Sequence, residues 1–408
     1  MTVLKKGGFA MAKPELLAPA GDMECLKTAV RFGADAVYIG GPMLQLRADS
    51  VGFTKEEVEE AAAYAHAHGV KLYVTVNCFA RNEEIDLAGD YAHFLYKAGA
   101  DAVIVSDLGL IAAIHAAEPR LPIHVSTQAN CTNFNSALVY RSMGAERVVL
   151  AREMTLDEIR ELRRRVPEDM EIEAFVHGAM CMSYSGRCMI SSFLTGRSGN
   201  RGGCAQPCRW NYHLMEQKRP GEFFPVVEDE KGMAILSSYD MCAAPFLDKL
   251  AEAGVTSFKI EGRMKTPFYV ATVVNAYRHA IDGDLPLDVI MRELDSCSHR
   301  PYSSAFYFGE MVHSHGNSGA YIQKCKFAGT VLGYEHGIAT VEQRNNFRPG
   351  DVLEIISPLS TGKKFTVTEI RDEGGNALES AKLIQQILKI PCEIPLQKGD
   401  ILRIRTEE

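Results

Sequence analysis

Nothing in this chain approaches the roughly 20 consecutive apolar residues that a bilayer-spanning helix needs, although 46% of its 408 residues are hydrophobic. That hydrophobic content is dispersed for a core, and the length suits one large domain with a smaller one. Residues 1–13 carry lysines but no apolar centre, which makes a poor secretion signal and reads as an N-terminal extension. The expectation is a cytoplasmic protein with no membrane partner. A global basic field is also missing: the formal net charge is −8, so any nucleic acid must be met by a local patch. No Gly-rich dinucleotide fingerprint follows the first strand, no His-Glu-x-x-His helix occurs, and no nucleophile elbow is recognisable, which removes the hallmarks of nicotinamide enzymes, zinc proteases and serine hydrolases.

What is present is a repeated phrase. A helical stretch ends in Gly, a small residue follows, and a short apolar strand begins. The phrase occurs at Gly33 before Ala36–Ile39, at Gly69 before Leu72–Val74 and at Gly99 before Ala102–Val105. It recurs at Gly144 before Val148–Leu150 and at Gly254 before Phe258–Ile260. Gly one residue past a helix suits the left-handed position that ends helices, and unbroken apolar runs suit strands buried on both faces of a parallel sheet. Glu15–Ala18, Ile123–Thr127 and Glu171–Val176 complete eight strands. Amphipathic stretches at Thr54–His68, Glu83–Lys97 and Thr155–Arg165 lie between them, the first with Thr54 as N-cap and Glu57 three residues on. The pattern predicts an α/β fold, a (β/α)8 TIM-like barrel over 14–285. An open doubly wound sheet is the alternative.

Reactive groups in such barrels lie where strands end. Those ends carry Asn77, Asp107, Thr127, Gln128, Arg152, Glu153, His177, Glu261 and Arg263. Asn77, Gln128, His177, Glu261 and Arg263 are the candidate catalytic set, with Arg152 as a substrate contact. Between the seventh and eighth strands a long excursion, 177–242, holds Cys181, Cys188, Cys204, Cys208 and Cys242. The other six cysteines are scattered among apolar residues and read as buried small hydrophobes. A reducing compartment argues against disulfides, and four converging thiolates hold either zinc or an iron–sulfur cluster. Only Cys204 and Cys208 have the close spacing zinc favours. From Ala174 to Met215 there is no Asp or Glu, while Arg187, Arg197, Arg201 and Arg209 all fall there. This island suits phosphate or carboxylate binding, or balances a thiolate cluster.

The run Glu173-x-Phe175-x-x-Gly178-Ala179-Met180-Cys181-x4-Gly186-x-Cys188-x-Ile190-Ser191 resembles the signature of peptidase family U32, the collagenase-like peptidases. Pro14–Gly21, Cys204-x3-Cys208-Arg209-Trp210 and Lys259–Arg263 fit the same family. The resemblance implies one of two activity classes. One is peptidase, as the family name says. The other is hydroxylation: of the tRNA wobble uridine at carbon 5, drawing on prephenate, of a ribosomal RNA cytidine, or of a quinone precursor. The resemblance further implies a [4Fe–4S] cluster on Cys181, Cys188 and Cys204, with Cys208 or Cys242 as the fourth ligand. Layout is most similar to the tRNA-hydroxylating type, with tRNA as partner and a second family member as a potential companion.

Residues 299–408 alternate apolar and polar, with turns every 8–12 residues. Arg348-Pro349-Gly350-Asp351 and Gln397-Lys398-Gly399-Asp400 each feed a strand, predicting a small C-terminal β-barrel domain.

Overall fold

The computed structural model describes residues 13–46, 52–181, 183, 187–210, 228–229, 232–233, 239–309, 321–358 and 360–406. The N-terminal extension thus lies outside the described residues, Lys13 excepted.

Eight parallel strands close into a barrel: β1 (Glu15–Pro19), β2 (Ala36–Gly40), β3 (Lys71–Val76), β4 (Ala102–Val105), β5 (Ile123–Val125), β6 (Ala145–Val149), β7 (Glu171–Ala179) and β8 (Ser257–Ile260). Closure is explicit, because Ser257 of β8 registers with Glu15 of β1 on one side and Glu173 of β7 on the other. This closed ring rules out the open sheet. The five glycines of the repeated phrase all have positive φ, from 72° at Gly69 to 97° at Gly33, as a left-handed helix terminus requires. Thr54 and Glu57 form a reciprocal capping box at the start of Lys55–Ala67, and Thr155 with Glu158 does the same before Leu156–Arg165. The strand faces turned to the helices form one large apolar core, while Leu17, Tyr38, Tyr73 and Ile104 pack inside the barrel as a separate, smaller one.

Three local readings change. The fifth strand stops at Val125, because Ser126 caps a 3-10 turn at Thr127–Ala129 and Asn130 takes the left-handed conformation at φ 56°. The stretch Glu83–Lys97 is two helices, Asn82–Ile85 and Ala88–Lys97. A further strand, Asp240–Cys242, runs antiparallel to the end of β7, with Cys242 opposite His177. Its Asp240 is buried and paired with buried Arg300 at 2.8 Å, a cross-link of residues 60 apart with no local sequence signal.

The C-terminal domain is a six-stranded antiparallel sheet from Cys325 to Arg405 with its own apolar core. Its hydrogen-bonded order shows no pair joining the two end strands among the described residues. Arg403, fully buried, donates to Glu354 of its own sheet and to Glu293 and Ser296 beside the barrel. Arg31–Asp400 and Arg344–Glu24 add pairs across the same junction. The described residues contain no helix long and apolar enough to cross a membrane.

Candidate active site

The mouth is formed where β6, β7 and β8 end. Arg152, following β6, lays its guanidinium 4.1 Å over the Phe175 ring. It donates to Ala179 O at 3.2 Å and to Glu261 Oε2 at 2.9 Å. Its Nε is buried and has no hydrogen-bond acceptor among the described residues, an arrangement that costs about 1–3 kcal/mol until something accepts that proton. The ends of β7 and β8 touch at Gly178 (φ +111°), where a Cβ would lie 2.8 Å from Glu261 Cβ. Glycine there is therefore required by backbone and space together. Arg263 turns to the opposite wall, donating to Gln45 Oε1 at 2.9 Å and Thr75 Oγ1 at 3.0 Å. Gly40 makes room for this cradle, since a Cβ there would sit 1.8 Å from Gln45 Oε1. Gln45 and Thr75 were not legible as site residues, although the Gly40-Gly41 doublet hints at a close approach. Asn77 fixes the neighbouring loop by accepting from Leu46 N at 3.0 Å. Gln128 sits half-buried in the 3-10 turn after β5. Asp107 caps the helix Leu108–Ala117 and has a structural task.

His177 does not line the mouth. A register shift in the β7–β8 ladder falls at this point. The imidazole is 1% exposed, packed among Tyr269, Tyr277 and Tyr302, with Nδ1 3.3 Å from the Tyr277 hydroxyl. Burial pushes its pKa down to about 3. A sealed neutral ring packs and shares a hydrogen bond with the Tyr277 hydroxyl, which itself donates to Val176 O; it cannot take a proton from a substrate that never reaches it.

The described stretch 187–210 of the cysteine excursion is anchored beside the exit of β3. Arg201 donates to Phe79 O at 2.7 Å and grips Glu84 through both terminal nitrogens, each at 3.1 Å. Phe79 N in turn donates to Asn200 O. Arg201 is thus a latch that fastens the loop to the exit of β3. The latch also walls a cavity of about 250 Å³ shared with Gln45, Phe53 and Cys78. Arg187 and Arg197 are exposed. The Arg209 side chain and Gly186 of the signature lie outside the described residues.

Exposure divides the eleven cysteines. Cys25, Cys78, Cys131, Cys242, Cys297, Cys325 and Cys392 are buried, whereas Cys181 and Cys204 are exposed and Cys188 and Cys208 half-buried. Burial pushes the Cys131 thiol up to about 11 and that of Cys297 up to about 12, as expected of inert core thiols. Cys188 and Cys204 are stitched into one turn cluster: Asn200 Nδ2 donates to Cys188 O, and Ala205 N donates to Ser191 Oγ. Gly199 packs beside Cys204, where a Cβ would lie 3.6 Å from Sγ. Among the described residues no three His, Cys, Asp or Glu side chains are drawn together closely enough to hold a metal ion. The donor set nevertheless fits an iron–sulfur cluster chemically, with four thiols that are not buried, turn backbone on either side and no carboxylate from Ala174 to Met215. Cys242 is buried beside the Tyr277 hydroxyl, 3.8 Å away.

The profile of Peptidase family U32 matches residues 21–317, and that of the U32 C-terminal domain matches residues 323–403. The chain belongs to family U32. Among curated relatives of this U32 member, tRNA hydroxylation protein P1 of Bacillus subtilis is 40% identical over 96% of this chain and 94% of its own. The Escherichia coli tRNA hydroxylation protein P is 36% identical over 91% and 92%. A protein named collagenase from Porphyromonas gingivalis is 34% identical over 95% and 97%.

Proposed function

We propose that this U32 member hydroxylates tRNA at carbon 5 of the wobble uridine, using prephenate as co-substrate and a [4Fe–4S] cluster held by Cys181, Cys188, Cys204 and either Cys208 or Cys242. The observation that carries this reading is full-length similarity to two tRNA hydroxylation proteins. The thiol distribution supports it, since every cysteine that is not buried lies on the cysteine loop.

When bound, the cluster supplies one-electron redox chemistry. The remaining tasks fall to the chain's own side chains. Arg152 contributes its positive charge toward a substrate carboxylate, while Glu261 and Ala179 O hold its terminal nitrogens. Arg263, pre-set by Gln45 and Thr75, supplies a second positive charge on the facing wall. A dicarboxylate fits two arginines so placed. The target base must leave its stack to reach this depth. A second family member and the cell interior complete the reading as partner and location.

The collagenase-named relative marks the competing class. Proteolysis needs an activated nucleophile beside a base, and the one histidine in the candidate catalytic set, His177, is sealed in the core.

The deciding experiment is anaerobic purification followed by iron and sulfide analysis, with nucleoside analysis of tRNA from a deletion strain. About four of each per chain, with 5-hydroxyuridine lost from the tRNA and restored by the wild-type gene, is the expected result. Unchanged tRNA, or gelatin cleavage that persists in air after chelation, overturns it.

A further inference from the structure

The short helix Ile190–Thr195 on the cysteine loop is inverted. Surface helices turn apolar side chains inward and polar ones outward. Here Ser191 is 2% exposed, while Phe193 is 88% and Leu194 47% exposed. Preceding Met189 is 65% exposed. Loop geometry enforces the inversion: Ser191 Oγ accepts from Ala205 N, Ser191 O accepts from Thr195 Oγ1, and Gly196 ends the helix at φ 69°. The helix packs on the 3-10 turn Pro207–Arg209, and Trp210, 44% exposed, follows directly. An apolar surface held outward by polar contacts is an interaction surface rather than a packing accident.

Charge chooses the occupant. On a chain of net charge −8, the 174–215 stretch has no acidic residue. Arg201 is engaged by Glu84, and Arg187 and Arg197 on the same stretch are exposed. Exposed flat rings on a stretch that carries arginines and no carboxylate match unpaired nucleotides, whose bases stack while their phosphates meet the cations. An acidic or apolar protein surface would satisfy one of these features and not the other.

We propose that Phe193 and Trp210 form a stacking platform for unpaired RNA nucleotides next to the reacting base, with Arg187 and Arg197 meeting the flanking phosphates. This rests on the tRNA reading above and adds to it the contact that holds the loop open. Its position suits the task, because the loop leaves β7 where Gly178 meets Glu261 and is latched by Arg201 to the exit of β3. A base flipped into the mouth would leave its neighbours beside this surface.

Trp210 is the only tryptophan of the chain, so its fluorescence reports the platform directly. The anaerobically purified full-length protein is titrated with anticodon stem–loop RNA and with a fully paired duplex of the same composition. The stem–loop should quench Trp210 and the duplex should not. Phe193→Ala should weaken stem–loop binding about tenfold, the usual scale of a lost base-stacking partner, with the loss in KM rather than kcat. Phe193→Tyr, which keeps a flat ring, should restore binding. Iron content identical to wild type shows that the loop still folds. Unchanged affinity in Phe193→Ala with normal hydroxylation overturns the platform alone. So does a change of oligomeric state in Phe193→Ala without a change in RNA affinity, which would make the face a contact between copies. A wild-type protein that neither binds nor hydroxylates tRNA overturns the functional reading, and the platform with it.

Discussion

The two ends of this barrel use arginine in opposite ways. At the floor, Arg147 is 3% exposed and reaches Glu15 at 2.7 Å, Glu171 at 2.6 Å and Glu173 at 2.9 Å. Lys259 and Ser257 complete the shell of Glu173, and Tyr73 donates to Glu15. Burial opposes ionisation of Glu15, but Arg147 overcomes this and holds the carboxyl below the usual range. Each floor carboxylate has a donor. A cleft of about 610 Å³ opens on this side, lined by Lys71, Arg147 and Glu171. At the mouth, Arg152 keeps a buried Nε without an acceptor among the described residues, and the cysteine loop leaves arginines and thiols exposed. The floor carboxylates are paired without a ligand, although His124 Nδ1 in the same cleft is buried without a partner among the described residues; the mouth adds exposed thiols and arginines to its own unpaired nitrogen. In barrels of this kind that asymmetry separates stability from chemistry.

The largest test breaks the mouth. Cys188→Ser should lose its iron, and tRNA hydroxylation should fall to background, whereas Cys131→Ser, altering a buried wall thiol, should keep both. Metal analysis and nucleoside quantification read the difference. Single substitutions of Cys208 and Cys242 in the same assay identify the fourth ligand, which is the one whose loss removes iron.

At the floor, Arg147→Met strands two deeply placed carboxylates. It should cost about 3–5 kcal/mol of stability, as removal of one partner from a buried ion pair does; denaturant unfolding measures this. Equal stability of variant and wild type would refute the contrast between the two ends.

Acid should act through His177. Its folded pKa of about 3 lies below the unfolded value of 6.5. Above pH 6.5 neither state carries the proton. Below it the unfolded chain binds a proton that the sealed ring refuses, so stability falls as pH drops from 6.5 toward 3, by at most about 1.4 kcal/mol per unit. His177→Gln should lessen that slope without abolishing it, because burial also lowers the pKa of His124. A kcat profile that loses an ionisation in the same variant would instead make the residue catalytic.

Arg152→Ala should lower hydroxylation about 10–100-fold, the range of one charge-assisted hydrogen bond, and, because its pair with Glu261 is mostly buried, should also cost more stability than the loss of a surface pair, which is about 1 kcal/mol or less. Arg201→Ala is the mildest change. Its partly exposed bridge to Glu84 is worth about 1 kcal/mol or less, and faster proteolysis of the cysteine loop with little change in melting temperature is the expected outcome.

Much of the barrel was legible because its signals are local. Gly33, Gly69, Gly99, Gly144 and Gly254 end helices through their own backbone freedom, and buried parallel strands announce themselves as apolar runs. The cysteine excursion was legible for a related reason, since thiols flanked by turn residues differ from thiols in apolar runs. Site geometry was less so. His177 follows an apolar strand as a mouth residue would, yet a register shift places it among three tyrosines. Arg201 belongs to an arginine island but is claimed by Glu84, 117 residues away. Gln45 and Thr75 carry no pattern of their own and become site residues through Arg263, 218 and 188 residues distant.

The amino-acid sequence by itself therefore determined the eight strands, their order, the cysteine loop and the family, all properties of local pattern. Tertiary structure alone decided which arginines are spent on carboxylates, which histidine is sealed and which helix faces outward. Those outcomes depend on the partner that chain closure brings within about 3 Å, the reach of a hydrogen bond, and no local pattern encodes a distance between residues so far apart in the chain.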